Sequence, residues 1–525
     1  METTEKSSAR ALHIEKKLIL TISRFLSNNF PIVSEGQARF LCEPWVHFFT
    51  HSSLHRIELW NEQISNLIDI PTPYELTPPG DSLAFFEYLR STDYSQYIDA
   101  SLNNKVIKVK CRTEVQQLHL PAKNNAITVC FKPCFPRSFR YFLKIFSLGK
   151  IYFLPNNYKY IQVQINIELR QRLENQIKLD LEAEEESLAG WFARRVTELF
   201  PRSILENLVG SYQSKQNLRN YRALYSADAW HIIDEWKIYA ISQKNKGNTK
   251  WIGCPNAVSH GCLAVFWQRD FELQFMDIYL TWGWKSEPNS NKNEIPFHPP
   301  HQAGRRIGIA LNTNKKSEIL ISTAARPKHL LEYPYTPNKY SAYINTQMYL
   351  ARQVGLKTGL SVTLRTRPTD MGWNLQKMVD ILAPLDIKIE FQSGLFIDRL
   401  IKSKIHICDN CSTTIIDSLW ANHPTLILLT DDYFLISENR LQEFNILKES
   451  NVYFTEPDLL VRHLTAISGD VYSWWRSEKV QSSISKFLHT QGASGGTARK
   501  WASLLTTFRY ERRDPKIASE IESHL

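Results

Sequence analysis

Ser412, Thr413 and Thr414 stand in succession after a short apolar run, Ile405 to Cys408, and before a helical pattern that leads to Asn422-His423-Pro424 and a second apolar run, Thr425 to Leu429. The local order this predicts is strand, hydroxyl-rich turn, helix, strand. Such a turn gathers hydroxyls and unpaired backbone N–H groups at the positive end of a helix, which is a site for phosphate. An ordinary helix cap accounts for one hydroxyl but not for three. Asp417, three residues beyond Thr414, faces the same helix end. There it can accept from a ribose or sugar hydroxyl, or simply complement the helix dipole.

Arg365 and Arg367 follow the apolar run Ser361 to Leu364. Their guanidinium groups either reach a ligand cleft and pair with a diphosphate, or form a surface pair. His260-Gly261 follows the strand-like Lys250 to Gly253 and a turn at Pro255-Asn256, and can serve as general base on an acceptor hydroxyl or as a structural imidazole. Asp270 and Glu272 are the carboxylates nearest to it in sequence. Cys408 and Cys411 have the C-x-x-C spacing of metal and redox pairs, but no second pair lies near in sequence, which favours reduced thiols over zinc. The chain has no P-loop, G-x-G-x-x-G fingerprint, G-x-S-x-G elbow or zinc-protease motif.

The elements that must position these residues form two α/β halves. Before them, residues 1–100 read as a helical region, with Phe40, Leu41, Trp45, Phe48 and Phe49 at helical spacing as its core face. Residues 101–284 read as a first α/β domain, with strands at Val106 to Val109, Ala126 to Cys130, Ile151 to Leu154 and Lys250 to Gly253. The polar tract 285–306 is the expected linker. Residues 307–475 read as a Rossmann-like domain, with strands at Ile319 to Ser322, Ser361 to Arg365, Ile387 to Glu390, Ile405 to Cys408 and Thr425 to Leu429; 476–525 form a helical tail. Open α/β sheets bind ligands beyond the carboxyl ends of their strands, so two halves predict a cleft between those ends.

At 525 residues with 43% hydrophobic content, the chain has material for two or three ordinary domains and is globular. A net charge of +10 favours an anionic partner, but the basic residues are scattered and no nucleic-acid stripe is visible. No run reaches the ~18 apolar residues of a membrane-spanning helix, and eight cysteines form no dense disulfide framework. The expectation is a cytoplasmic protein with room for peripheral contact with an anionic membrane, no nucleic-acid partner and no cofactor.

Several separated stretches together resemble the transferases of O-antigen and surface-polysaccharide gene clusters of leptospiral type. They are Arg365-Thr366-Arg367 with Asp370-Met371-Gly372-Trp373, Phe391-Gln392-Ser393-Gly394, the block Ile405 to Leu429, Asp470 to Trp475, and Glu272 to Asp277 with Tyr279 to Trp284. The resemblance implies a GT-B-like fold of two Rossmann-like domains facing a cleft, and glycosyl transfer from a nucleotide-sugar to a glycan or lipid-linked acceptor. It implies donor binding at Arg365, Arg367, Ser412, Thr413, Thr414 and Asp417, without a bound metal. This chain has Asp417 where the family has Glu. The family's His-Gly-Gly falls on His260 in a gapped register and on Asn256 in an ungapped one, in which the expected base is missing. The turn followed by Asp is also similar to teichoic-acid polyol-phosphate transferases, which use CDP-activated polyols. A nucleotide- or glycan-binding protein that has lost the base is the third possibility.

Overall fold

The computed structural model describes residues 2–58, 78–90, 111–120, 125–182, 188–284, 293–304, 308–324, 337–366, 380–382, 387–391, 394–491 and 496–507. Arg367, the Asp370 to Trp373 stretch and the strand expected at Val106 to Val109 lie outside them.

The strands are β1 (Val115–Leu118), β2 (Thr128–Cys130), β3 (Ile151–Phe153), β4 (Tyr158–Ile161), β5 (Ala223–Ser226), β6 (Lys250–Gly253), β7 (Ile278–Trp282) and β8 (Glu294–Phe297) in the first half. The second half has β9 (Glu318–Ser322), β10 (Ser361–Thr366), β11 (Ile387–Phe391), β12 (Ile405–Cys408), β13 (Thr425–Leu428) and β14 (Tyr453–Phe454). β1 and β4 make a separate antiparallel ribbon. The others form two six-stranded parallel sheets, in the orders β3-β2-β5-β6-β7-β8 and β11-β10-β9-β12-β13-β14. Central strands such as Ile405–Cys408 are buried along their whole length, as parallel strands covered on both faces must be.

Counted from β9, the second sheet has the order 3-2-1-4-5-6, so the direction of winding reverses between β9 and β12. In the first sheet the reversal falls between β2 and β5. A crevice opens at the carboxyl end of each such pair, because the connections leave in opposite directions there. The two carboxyl edges meet. The chain beyond β6 pairs with the chain beyond β13: Ala264 N–H donates to the Leu435 carbonyl at 2.9 Å, and Ser437 N–H to the Cys262 carbonyl at 2.8 Å. This is a GT-B-like architecture of two Rossmann-like sheets with a helical N-terminal region.

That region consists of helices Glu2–Asn29, Glu35–Glu58 and Ser82–Leu89. As the periodicity predicts, Phe40, Leu41, Trp45, Phe48 and Phe49 are buried. Phe40 stacks on Trp251 of β6 at 4.7 Å and on Phe271 at 5.7 Å, fixing the second helix over one face of the first sheet. Two segments depart from expectation. The polar tract 285–306 contains β8, an edge strand whose position tolerates Pro296. The Ala498–Thr506 helix returns to the first half, where Trp501 packs edge-on against Phe135 at 4.7 Å and Phe297 at 4.6 Å.

Candidate active site

Ser412 caps the Thr413–Trp420 helix, accepting from the Thr414 N–H at 3.3 Å. The Thr414 hydroxyl turns back into the sheet end, 2.8 Å from Ser412 Oγ, 3.1 Å from Cys408 Sγ and 3.4 Å from Ser322 Oγ. Ser322 ends β9 and Cys408 ends β12, so this knot of hydroxyls closes the winding reversal itself. His406 continues it beneath, between Ser322 Oγ and Ser418 Oγ at 2.8 Å each, and burial holds its imidazole neutral, well below its usual pKa. Thr413 differs from its neighbours. Its N–H and hydroxyl have no protein partner among the described residues, and its side chain is partly exposed. Two of the three hydroxyls therefore shape the turn, and the third is partly exposed with no partner among the described residues.

Asp417 accepts from the Gln302 amide, and its Oδ1 lies 3.7 Å from His301 Nε2. The segment after β8 thus reaches across to this helix. Arg365 does not project into the cleft: it is buried, with Nη1 2.5 Å from Glu390 Oε1 on the neighbouring strand β11 and Nη2 donating to the Gly394 carbonyl at 3.0 Å. Glu390 also receives Arg399 at 2.7 Å. Sheet geometry explains the difference, because Arg365 and Glu390 are register partners on adjacent parallel strands.

On the opposite wall, His260 sits in the Ser259–Cys262 helical turn and is 1% exposed. Its Nε2 lies 3.1 Å from Asn256 Oδ1 and its Nδ1 3.0 Å from the Tyr279 hydroxyl. Asn256 Nδ2 donates to Asp228 Oδ1 at 2.8 Å, which turns the amide oxygen toward the imidazole. Nε2 must then carry the proton, leaving Nδ1 to accept from Tyr279. Burial, with His231 and Arg269 nearby, keeps His260 uncharged. The next residue, Gly261, has no room for a side chain, since a Cβ there would overlap the Trp284 indole. Both registers of the sequence comparison, His260 and Asn256, therefore fall within one hydrogen-bonded line.

Asp270 stands away from that line, exposed and paired with its neighbour Arg269 at 2.8 Å. Glu272 is buried in the core behind it, 3.8 Å from His231 Nδ1; burial, and then the charge of Asp228, lift its carboxyl well above the ordinary range.

Sequence reasoning passed over Asp228, the partly exposed end of the line, which stands two residues past β5 at the first sheet's winding reversal. Burial raises its carboxyl above the ordinary value, opposed by Lys132 and the Asn256 hydrogen bond. The usable signal was its place two residues after Ala223-Leu224-Tyr225-Ser226. The Cys408-Cys411 spacing does not make a paired site. Cys408 bonds to Thr414, whereas Cys411 meets Cys262 of the His260 turn, so the hydroxyl turn and the imidazole turn touch through these two thiols.

Two opposed Rossmann-like sheets, one ending in a hydroxyl-rich helix start and the other in a buried histidine line, define the architecture of a GT-B-like transferase. The model of the LIC12162 family transferase matches residues 38–505, and the chain belongs to that family. No curated protein matches the sequence. Similar solved structures include TarM, at 10% identity over 58% of this chain and 59% of its own length with a TM-score of 0.35. MurG of Acinetobacter baumannii is 9% identical over 73% of this chain and 100% of its own, with a TM-score of 0.35. The pneumococcal O-GlcNAc transferase GtfA, in complex with UDP and GlcNAc, is 9% identical over 60% and 61%, with a TM-score of 0.37. The chain thus spans about three fifths of the length of TarM and of GtfA.

Proposed function

We propose that this transferase moves a sugar from a nucleotide-activated donor to a hydroxyl of a surface-polysaccharide or lipid-linked glycan acceptor. The observation that carries the reading is the open N–H and hydroxyl of Thr413 at the winding reversal of the second sheet, on the edge that meets the His260 turn. Donor phosphates bind along Ser412 to Thr414, with Arg367 supplying positive charge, while Arg365 stays in its ion pair with Glu390 and braces the strand end. Asp417 exchanges Gln302 for a donor hydroxyl. The helix end and basic side chains hold the leaving diphosphate, the role preorganised donors play in group transfer. His260 Nδ1 receives the acceptor proton once the acceptor hydroxyl displaces Tyr279 from it.

A thermal-shift series with UDP, GDP, CDP, CMP and dTDP tests the donor half. A nucleotide at ten times its dissociation constant adds roughly 1.4 kcal/mol of stability. Thr413→Val keeps the cap and removes one hydrogen bond to a charged oxygen, so it should weaken that nucleotide about tenfold or more. No shift with any nucleotide would sink the donor assignment. A shift with CDP alone favours polyol-phosphate transfer, the reading that Asp417 supports.

A second reading draws on His260, whose two nitrogens are both engaged. It is a donor-binding protein without turnover, and it predicts nucleotide shifts that His260→Ala leaves unchanged, with no transfer to any glycan. No helix among the described residues is long and apolar enough to cross a membrane. The net charge of +10 suits peripheral contact with the anionic surface that carries a lipid-linked acceptor. Co-sedimentation with anionic vesicles should exceed that with neutral vesicles and fall with salt; equal partitioning to both removes this part of the reading.

A further inference from the structure

Away from the cleft, three ligating side chains converge in the helical N-terminal region. Glu15 comes from the first helix, and His47 and His51 stand one turn apart on the second, an H-x-x-x-H spacing that puts both rings on one face. His47 Nδ1 lies 2.9 Å from Glu15 Oε1, and His51 Nε2 lies 2.9 Å from Glu15 Oε2. The ligating atoms are all within 4.8 Å of one another, and all three residues are buried.

We propose that Glu15, His47 and His51 bind a divalent transition-metal ion of the zinc class, which fastens the first two helices to each other. Two imidazole nitrogens and a carboxylate are a donor set zinc accepts, at about 2.0–2.2 Å per ligand. Ligands at that radius stand slightly farther apart than 2.9 Å, so the rings need to open only by a few tenths of an ångström. Each imidazole coordinates as a neutral ligand, through Nδ1 of His47 and Nε2 of His51, with its proton on the other ring nitrogen. Any proton shared within the trio leaves to solvent as the ion binds.

The ion would bear on the catalytic wall. The His47 ring lies on Trp267 at 4.3 Å, and the preceding residue, Phe266, packs its ring 4.5 Å from that of His260. Locking His47 therefore locks the start of the Trp267–Phe275 helix against the His260 turn. The site is structural and independent of the transfer reading.

The test uses the full chain without an affinity tag, freed of metal by a chelator and dialysed. Zinc should bind one per chain by elemental analysis and raise the thermal midpoint, and cobalt(II) should give visible d–d bands of a four- or five-coordinate ion. His51→Asn and Glu15→Gln should abolish the bands and the midpoint shift. A wild-type chain that takes up neither metal, with a midpoint insensitive to both, overturns the proposal and leaves a proton-sharing trio. Uptake equal in wild type and His51→Asn also overturns it, by placing the metal elsewhere. If the variants do not fold, zinc stoichiometry and cobalt spectrum of the wild type decide alone.

Discussion

Lys237→Met should destabilise the protein by about 3–5 kcal/mol, the range for removing one partner of a fully buried ion pair. Lys237 is completely buried in the Asp234–Lys246 helix. Its ammonium lies 3.1 Å from Asp234 Oδ1 and donates to the Leu41 carbonyl at 2.8 Å. Asp234 in turn accepts from the Ser82 N–H at 2.7 Å and the Ser203 hydroxyl at 2.6 Å. One buried charge pair therefore joins the second N-terminal helix, the start of the Ser82–Leu89 helix and Ser203 to the helix that follows β5. Methionine fills the volume but leaves the carboxylate without its cation. Urea unfolding of wild type, Lys237→Met and Lys237→Met/Asp234→Asn measures this. The double variant should recover part of the loss, because the stranded charge is gone. A single-variant loss below about 1 kcal/mol would mean that water reaches Asp234 and that the pair does not hold the helical region in place.

The same distinction between near and distant partners separates what the sequence discloses from what it hides. The runs at Lys250–Gly253, Ile405–Cys408 and Thr425–Leu428 are visible because a central parallel strand, covered on both faces, is mostly apolar, each run here having a single polar residue. β5 is as buried as these, yet its four residues include Ala and Ser and offer little pattern. β8 hides in a polar tract because only one edge of it must pair. The hydroxyl turn is legible for a local reason: Thr414 bonds to Ser412 and to Cys408, all within six residues. His260 is settled by Tyr279, 19 residues on, and through Asn256 by Asp228, 28 residues before that amide. Arg365 is drawn to Glu390, 25 residues away, and Asp417 to Gln302, 115 residues away. A residue's type can nominate it for chemistry, but its orientation belongs to whichever partner the sheet register or the second domain brings alongside.

That principle has its sharpest consequence at Asp409, which directly follows the strand leading into the hydroxyl turn. Stability should fall as pH rises from about 4 to about 7, by up to about 4 kcal/mol, and Asp409→Asn should flatten that slope. Asp409 is 2% exposed, and burial lifts its carboxyl from 3.8 to about 7 against the pull of the Tyr343 hydroxyl, which donates to Oδ1 at 2.8 Å. The sign follows from proton counting. Between the two values the native chain holds a proton that the unfolded chain has lost, so each step upward in pH favours unfolding; above about 7 both have lost it and the slope ends. Asparagine keeps an acceptor for Tyr343 and never ionises. The two proteins should be nearly equal in stability at pH 4, and the variant the more stable one at pH 8. Denaturant unfolding across that range decides: parallel curves would show that Asp409 is already ionised in the native state. Since Asp409 is followed directly by Asn410, whose amide donates to the Ser322 carbonyl at 2.9 Å, ionisation strains the link between β9 and β12 on which the hydroxyl turn is built.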